Sequence, residues 1–221
     1  MRRAAADAAS RRALQGCSLI LAQTFAKACR DATAERDHRA AVAYDVRDLM
    51  AKDQLKRIPV LYHFTDRRNL PLIRELGGLY PFAELRKRGI QVPAPGGNVW
   101  SQEANGFKGM DQYVHLCFRS THPMEFIARE EGRIVDSIFL NVHPDVLQWE
   151  GVRFTPDVAN KSGVQVYSIE EALDMIDFEV LYTRSDWKKP EIQQRLRAAE
   201  KCEVLVARFI PIEMIRNFPN G

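Results

Sequence analysis

The sequence predicts an α+β domain preceded by a helical appendage, and three observations carry that prediction. From Pro59 onward, short alternating segments outnumber long helical ones. Those segments do not alternate regularly with helices, which disfavours a doubly wound parallel sheet. Before residue 58 the pattern is helical instead, and residues 1–57 hold 12 Lys and Arg against 7 Asp and Glu.

Taken in order, residues 3–29 combine good helix formers with an apolar stripe at Leu14, Cys17, Ile20 or Leu21, and Phe25. Asp31 caps a second helix running to about Met50, with Val42, Val46 and Leu49 along one side. The polar, basic segment from Lys52 to Pro59 ends that helix. The boundary falls at residue 57, giving an appendage over 1–57, for packing or partner binding, and a main domain over 58–221. In the main domain Val60 to Thr65 reads as a strand, and Leu70 to Leu76 as a helical turn stopped by Gly77-Gly78. Pro81 to Arg88 reads as a short basic helix, and Pro93 to Asn98 as a loop. Tyr113 to Phe118, Ile134 to Val142 and Gly151 to Thr155 alternate as strands do. Ser168 to Met175 is a helix whose Glu170 and Glu171 suit the positive end of its dipole. A basic helix, Pro190 to Lys201, leads into the strand Cys202 to Phe209.

Composition excludes several classes. Hydrophobic residues make up 46% of the 221, enough for a real core, and the net charge is +3. The appendage carries +5 of it and the other 164 residues −2, so a polyanion would be met by local patches and not by the whole surface. Cys17, Cys29, Cys117 and Cys202 form no CxxC pair and have no zinc-like His spacing, so no metal is expected. Cys29 and Cys117 sit among apolar residues, as buried reduced thiols do. No apolar run approaches the roughly 18 residues of a membrane span. Asp7 and the lack of a hydrophobic stretch argue against a targeting segment at the Arg- and Ala-rich start. The reading is a reduced, cytoplasmic protein. There is no GxxxxGK[ST], GxGxxG, HExxH or GxSxG, which leaves ATPase, metalloprotease and serine-hydrolase readings without support.

Three groups of side chains are candidates for chemistry. Glu203 opens its strand and shares a face with Leu205, Ala207 and Phe209; a carboxylate there is either a solvated strand end or a buried group with a partner. His63 and Thr65, two apart on one strand, both offer hydrogen bonds to a sugar hydroxyl or an amide. Lys188, Lys189, Arg195, Arg197 and Lys201, with Trp187 beside them, form either a solvated helix face or a platform for single-stranded nucleic acid. His115, facing with Tyr113 and Cys117, reads as a satisfied core residue, and His122-Pro123-Met124 as a helix start capped by His122.

Four segments together resemble one family. Leu61-Tyr62-His63-Phe64-Thr65 followed by Asn69-Leu70-Pro71 and Ile73 resembles the opening motif of the DarT toxins, ADP-ribosyltransferases that modify bases in single-stranded DNA. Tyr113 to Phe118 with His122-Pro123-Met124 resembles their central strand, and Phe154-Thr155-Pro156-Asp157 with Ala159-Asn160 their Thr-Asp-rich loop. Ala199 to Val206, with Arg208, Phe209 and Pro211, resembles the stretch bearing the family's catalytic Glu. Order and spacing hold from about residue 60 to 215.

The resemblance implies an ADP-ribosyltransferase fold of two small, mainly antiparallel sheets around a cleft for NAD, with NAD as co-substrate and no metal. It implies that Glu203 is catalytic and that His63, Thr65 and Asn69 contact NAD. The acceptor is then a base in single-stranded DNA, contacted by Lys188, Lys189, Arg195 and Arg197. The implied role is a toxin of a toxin–antitoxin or phage-defence system, with a macrodomain antitoxin as partner. Alternatives are transfer to RNA or protein by the same chemistry, or an inactive nucleic-acid-binding module of the same fold. One departure stands out: the family has an NAD-contacting Arg between the first two motifs. Here Gly96-Gly97-Asn98-Val99-Trp100-Ser101 holds none, which leaves Arg86 and Arg88 nearest.

Overall fold

Antiparallel pairing organises the protein. A computed structural model describes residues 53–97 and 109–219; the predicted appendage, apart from residues 53–57, lies outside them. Five strands form one sheet: β1 (Leu61–Asp66), β3 (Val114–Cys117), β4 (Ser137–Val142), β5 (Arg153–Thr155) and β6 (Glu203–Val206), in the order β4-β1-β3-β6-β5. Every neighbouring pair is antiparallel. A second sheet pairs β2 (Gly78–Leu79) with β7 (Ile210–Pro211), also antiparallel. The predicted α+β class with two small antiparallel sheets is the architecture found.

Short helices connect the strands, and local chemistry sets their ends. Helix α1 (Leu70–Glu75) starts with Pro71 in its first turn, where a missing N–H goes unmissed, and the chain leaves it at Gly77 with φ +75°. Gly78 follows at φ +152°, where an added Cβ would run into the Ile210 carbonyl, so close pairing of β2 with β7 requires glycine. Helix α2 (Phe82–Lys87) follows, and α3 (Pro123–Glu130) begins where the His122 imidazole accepts from the Met124 N–H at 3.3 Å, the cap read from the sequence. Helix α4 (Ile169–Ala172) carries a reciprocal capping box between Ser168 and Glu171. Helices α5 (Phe178–Tyr182) and α6 (Pro190–Ala199) pack together before the chain enters β6. Among the described residues no helix is long and apolar enough to cross a membrane.

Strand β6 lies inside the sheet and is buried along its whole length. Val204 and Val206 face the main core with Leu116, Val114 and Phe154, while Leu205 faces the other way onto Met110 and Ala159. Period-two alternation therefore commits Glu203 to the Leu205 face. Cys117 and Cys202 are buried free thiols; burial pushes Cys202 up to about 12, consistent with inert packing.

Asp66 fixes the far end of β1. Its carboxylate is fully buried and accepts from Arg68 Nε and Nη2, both at 2.8 Å, and from the backbone N–H groups of Arg68 (2.9 Å), Val135 (2.8 Å) and Asp136 (3.3 Å). The Arg68 guanidinium and these donors outweigh burial and hold the carboxyl well below the usual carboxylate range. A depressed folded value stabilises the fold above the unfolded value, about 3.9, and that contribution fades as pH falls toward the folded value. Asp66→Asn is expected to lower unfolding free energy by about 2–3 kcal/mol at neutral pH. The gap should narrow below about pH 4. Urea unfolding across pH checks this; a pH-independent gap would show that the charge is not what matters.

Candidate active site

The cleft face of the large sheet gathers the polar side chains that the main core excludes. A cavity of about 260 Å³ is walled by β1 and β3 together with α1, β2 and α2, and Glu203 and Ala159 reach it from β6 and the loop after β5. The two neighbours of Glu203 across the sheet are Cys117 on β3 and Thr155 on β5.

Glu203 is 5% exposed, which decides between the two readings of it: it is not a solvated strand end. Its Oε2 meets His115 Nδ1 at 2.6 Å, and its Oε1 accepts from the Ala159 N–H at 3.1 Å. His122 Nε2 stands 3.7 Å from Oε1, too far for a hydrogen bond. Burial alone would push the Glu203 carboxyl up. The His115 hydrogen bond and charge, with His122 and the Ala159 N–H, overcome it and hold the group below its ordinary value. Burial opposes charge on His115 too, yet the bond to Glu203 wins and raises it. The two form an ion pair in which Glu203 is buried and His115 half-buried, an arrangement under which a carboxylate stays ionised in a low-dielectric site.

His63 and Thr65 also line this cavity, on the shared face that their spacing predicts. The His63 Nδ1–H donates to the His115 carbonyl at 3.0 Å, and burial lowers the ring's basicity, so it is neutral with Nε2 left as an acceptor. Asn69 lines the cavity and braces it. Its Nδ2 donates to Thr65 Oγ1 (3.0 Å) and to the Ala94 carbonyl (2.8 Å), and its Oδ1 accepts from the Ala94 N–H (2.9 Å). The Asn69 amide thus pins the Pro93–Gly97 loop to β1, and three of its hydrogen-bonding sites are already used.

The basic residues singled out by the sequence lie outside the cavity. Arg195 is held by its Nε and Nη2 on Asp177 at 2.6 and 3.0 Å, and by Nη2 on Glu179 at 2.6 Å, so it ties α6 to α5 and has no fork left for a phosphate. Lys188, Lys189 and Arg197 are exposed and none lines the cavity; Lys188 lies 5.9 Å from the exposed Trp187 ring. Neither Arg86 nor Arg88 lines it either. Arg86 binds the buried Asp111 at 2.6 Å, and Arg88 binds Glu84 while lying over the Tyr80 ring. Residues 98–101, where the family Arg has no counterpart in the sequence, fall outside the described residues. His115, read from the sequence as a satisfied core residue, lines the cavity and bonds Glu203. The signal was its shared strand face with Cys117, but joining it to Glu203 needed the β3–β6 register.

Known proteins share this arrangement of strands. A family model described as "ssDNA thymidine ADP-ribosyltransferase, DarT" matches residues 62–218. Among solved structures, DarT of Thermus sp. 2.9 in complex with ADP-ribosylated ssDNA matches with a TM-score of 0.53 at 20% identity, over 72% of this chain and 79% of that one. DarTG of Thermosipho africanus in complex with ADP-ribose matches with a TM-score of 0.52 at 18% identity, over 71% of this chain and 42% of that one. The Thermus protein in complex with NAD+ matches at 22% identity and a TM-score of 0.47, over 72% and 79% of the two chains. No curated protein sequence matches.

Asn69→Ala, which strips partners from the buried Ala94 N–H and C=O, is expected to lower unfolding free energy by about 2–4 kcal/mol, and Thr65→Ala by about 1 kcal/mol. Denaturant unfolding distinguishes them; equal losses would mean that Asn69 is not the brace.

Proposed function

This chain belongs to the DarT family of single-stranded-DNA thymidine ADP-ribosyltransferases, and from that premise we propose that Glu203 drives transfer of ADP-ribose from NAD to a thymidine base in single-stranded DNA. The observation that carries this reading is the buried, ionised Glu203 at the cavity that His63 and Thr65 also line. In the reaction the bond from nicotinamide to the ribose C1′ breaks, nicotinamide leaves with the bonding pair, and positive charge develops on the ribose. A carboxylate offers about four acceptor positions. His115 and Ala159 occupy two, leaving others for the ribose 2′-hydroxyl, and the negative charge stabilises the cationic sugar. The thymine ring of a nucleoside has one N–H; as its nitrogen bonds to C1′, that proton goes to Glu203. His63, through its unprotonated Nε2, and the Thr65 hydroxyl orient the NAD ribose and nicotinamide amide.

The acceptor base has to be unstacked to enter, so a single strand is the easier substrate. Lys188, Lys189 and Arg197, exposed beside Trp187, supply the cations and stacking surface that suit its backbone. Unchecked modification of DNA bases is harmful to any replicating cell, which supports a toxin or phage-defence role restrained by a macrodomain antitoxin that removes the adduct. The Thermosipho DarTG chain, of which this one spans 42%, carries room for such a further segment.

Glu203→Gln should reduce transfer by about 100- to 1000-fold, the loss of one preorganised electrostatic interaction, with an unchanged melting temperature to within a few degrees. Labelled NAD with a thymidine-containing oligonucleotide, RNA or protein gives the readout. Label appearing only on RNA or protein would move the acceptor, and full activity in the variant would remove Glu203 from its role.

Neutralising Lys188, Lys189 and Arg197 is expected to flatten the salt dependence of oligonucleotide binding, by about 0.7 in log–log slope for each phosphate no longer neutralised. Arg195→Ala should leave the slope unchanged and lower stability instead. Fluorescence anisotropy over a salt series decides; an unchanged slope in the triple variant makes the run a solvated face.

A further inference from the structure

We propose that His115 is a positioning residue for the transfer: held as an imidazolium between the Met110 carbonyl and Glu203, it keeps that carboxylate ionised and in place, and releases it on losing a proton. This rests on Glu203 being the transfer carboxylate.

Both ring nitrogens of His115 face acceptors. Nδ1 stands 2.6 Å from Glu203 Oε2, and Nε2 stands 2.9 Å from the Met110 carbonyl oxygen. A backbone carbonyl never donates, and an ionised carboxylate only accepts. A neutral imidazole has one N–H and one lone pair, so either tautomer would set a lone pair against an acceptor. With Glu203 held ionised, only the doubly protonated ring satisfies both oxygens. At 2.6 Å the separation is shorter than an ordinary N–H···O bond, the direction in which charge assistance acts.

The sheet makes this pairing rigid. Cys117 is opposite Glu203 and His115 opposite Leu205, so His115 is a diagonal neighbour of Glu203 on the same face. Its own carbonyl accepts from His63, which locks β3 to β1 at that position. Across the carboxylate, the Ala159 N–H holds Oε1. Glu203 is thus held from two sides, and only the His115 side titrates.

The charged and titratable groups around the pair act consistently. Asp111, on the turn before β3 and paired with Arg86, adds negative potential that favours the imidazolium. His63 on β1 and His122 at the start of α3 are both driven toward neutrality by burial. The Cys117 thiol beside Glu203 is pushed up by burial and is neutral as well. His115 is therefore the cation that balances Glu203 inside the cleft among the described residues. As pH falls, Glu203 stays ionised below the usual carboxylate range; as pH rises past the elevated His115 value, the pair is lost and the carboxylate is freed to turn.

Two measurements test this. In the unliganded protein, the Cε1–H resonance of His115 followed by NMR should titrate above the ordinary histidine value of about 6.5. In Glu203→Gln it should titrate lower than in the unaltered protein, because the strongest contribution opposing burial is gone. Second, kcat for His115→Ala should fall by about 100-fold, the loss expected from a misplacement on the order of 1 Å. His115→Gln, which keeps a donor without titrating, should recover part of it. The ratio of His115→Gln to unaltered kcat, which cancels the titration of thymine itself, should rise on the alkaline side and fall on the acid side. A His115 midpoint at or below the ordinary value, or a ratio flat with pH, would overturn the proposal. An unaltered protein with no transfer activity would overturn the function instead, and the NMR titration would still decide whether the ion pair exists.

Discussion

A carboxylate buried in the interior strand of a sheet is the constraint around which this domain is arranged. Glu203 sits on β6 with strands on both sides, where an isolated charge is penalised by many kcal/mol and would ordinarily take up a proton. It stays ionised because the β3–β6 register delivers an imidazole to one oxygen and the loop after β5 delivers a backbone N–H to the other. Neither partner is local in sequence: His115 is 88 residues before Glu203 and Ala159 is 44. The antiparallel pairing that builds the core is thus also what makes the charge tenable.

The rest of the cleft follows from keeping that charge next to open space. Val204 and Val206 turn one face of β6 into the main core, while Glu203 on its other face reaches the cavity. There the Pro93–Gly97 loop has to stand off the sheet without leaving its backbone groups unpaired. Asn69 solves this with one amide that meets both the N–H and the C=O of Ala94. Asp66 does the equivalent job at the end of β1 for Val135 and Asp136. Both residues flank the same short turn, so a polar brace on either side holds the strand bearing His63 and Thr65.

Much of this was legible in the sequence because it depends on neighbours along the chain. Alternation marked β3, β4 and β5, Gly77-Gly78 marked the end of α1, and His122 announced its cap. Glu203, His63 and Thr65 stood out by face and by motif. What was not legible depends on pairing between distant segments. His115 reads as one more strand histidine until the register sets it diagonal to Glu203. Arg195 reads as part of a basic run until α5 brings Asp177 and Glu179 against it. Charge runs are counted residue by residue in a sequence, whereas the fold assigns each charge a partner or leaves it to solvent.

The three histidines of the cleft show why residue type alone could not assign their roles. All have the same intrinsic basicity, and burial lowers it in each case. His63 meets one acceptor, the His115 carbonyl, and needs one proton. His122 accepts a backbone N–H through Nδ1, which fixes its proton on Nε2 and again requires only one. His115 meets two acceptors and needs two protons. The number of acceptors that the fold presents to each ring, and not the depth of burial, sets its charge. One cleft therefore holds two neutral imidazoles that can orient a ligand and one cation that holds the carboxylate in place.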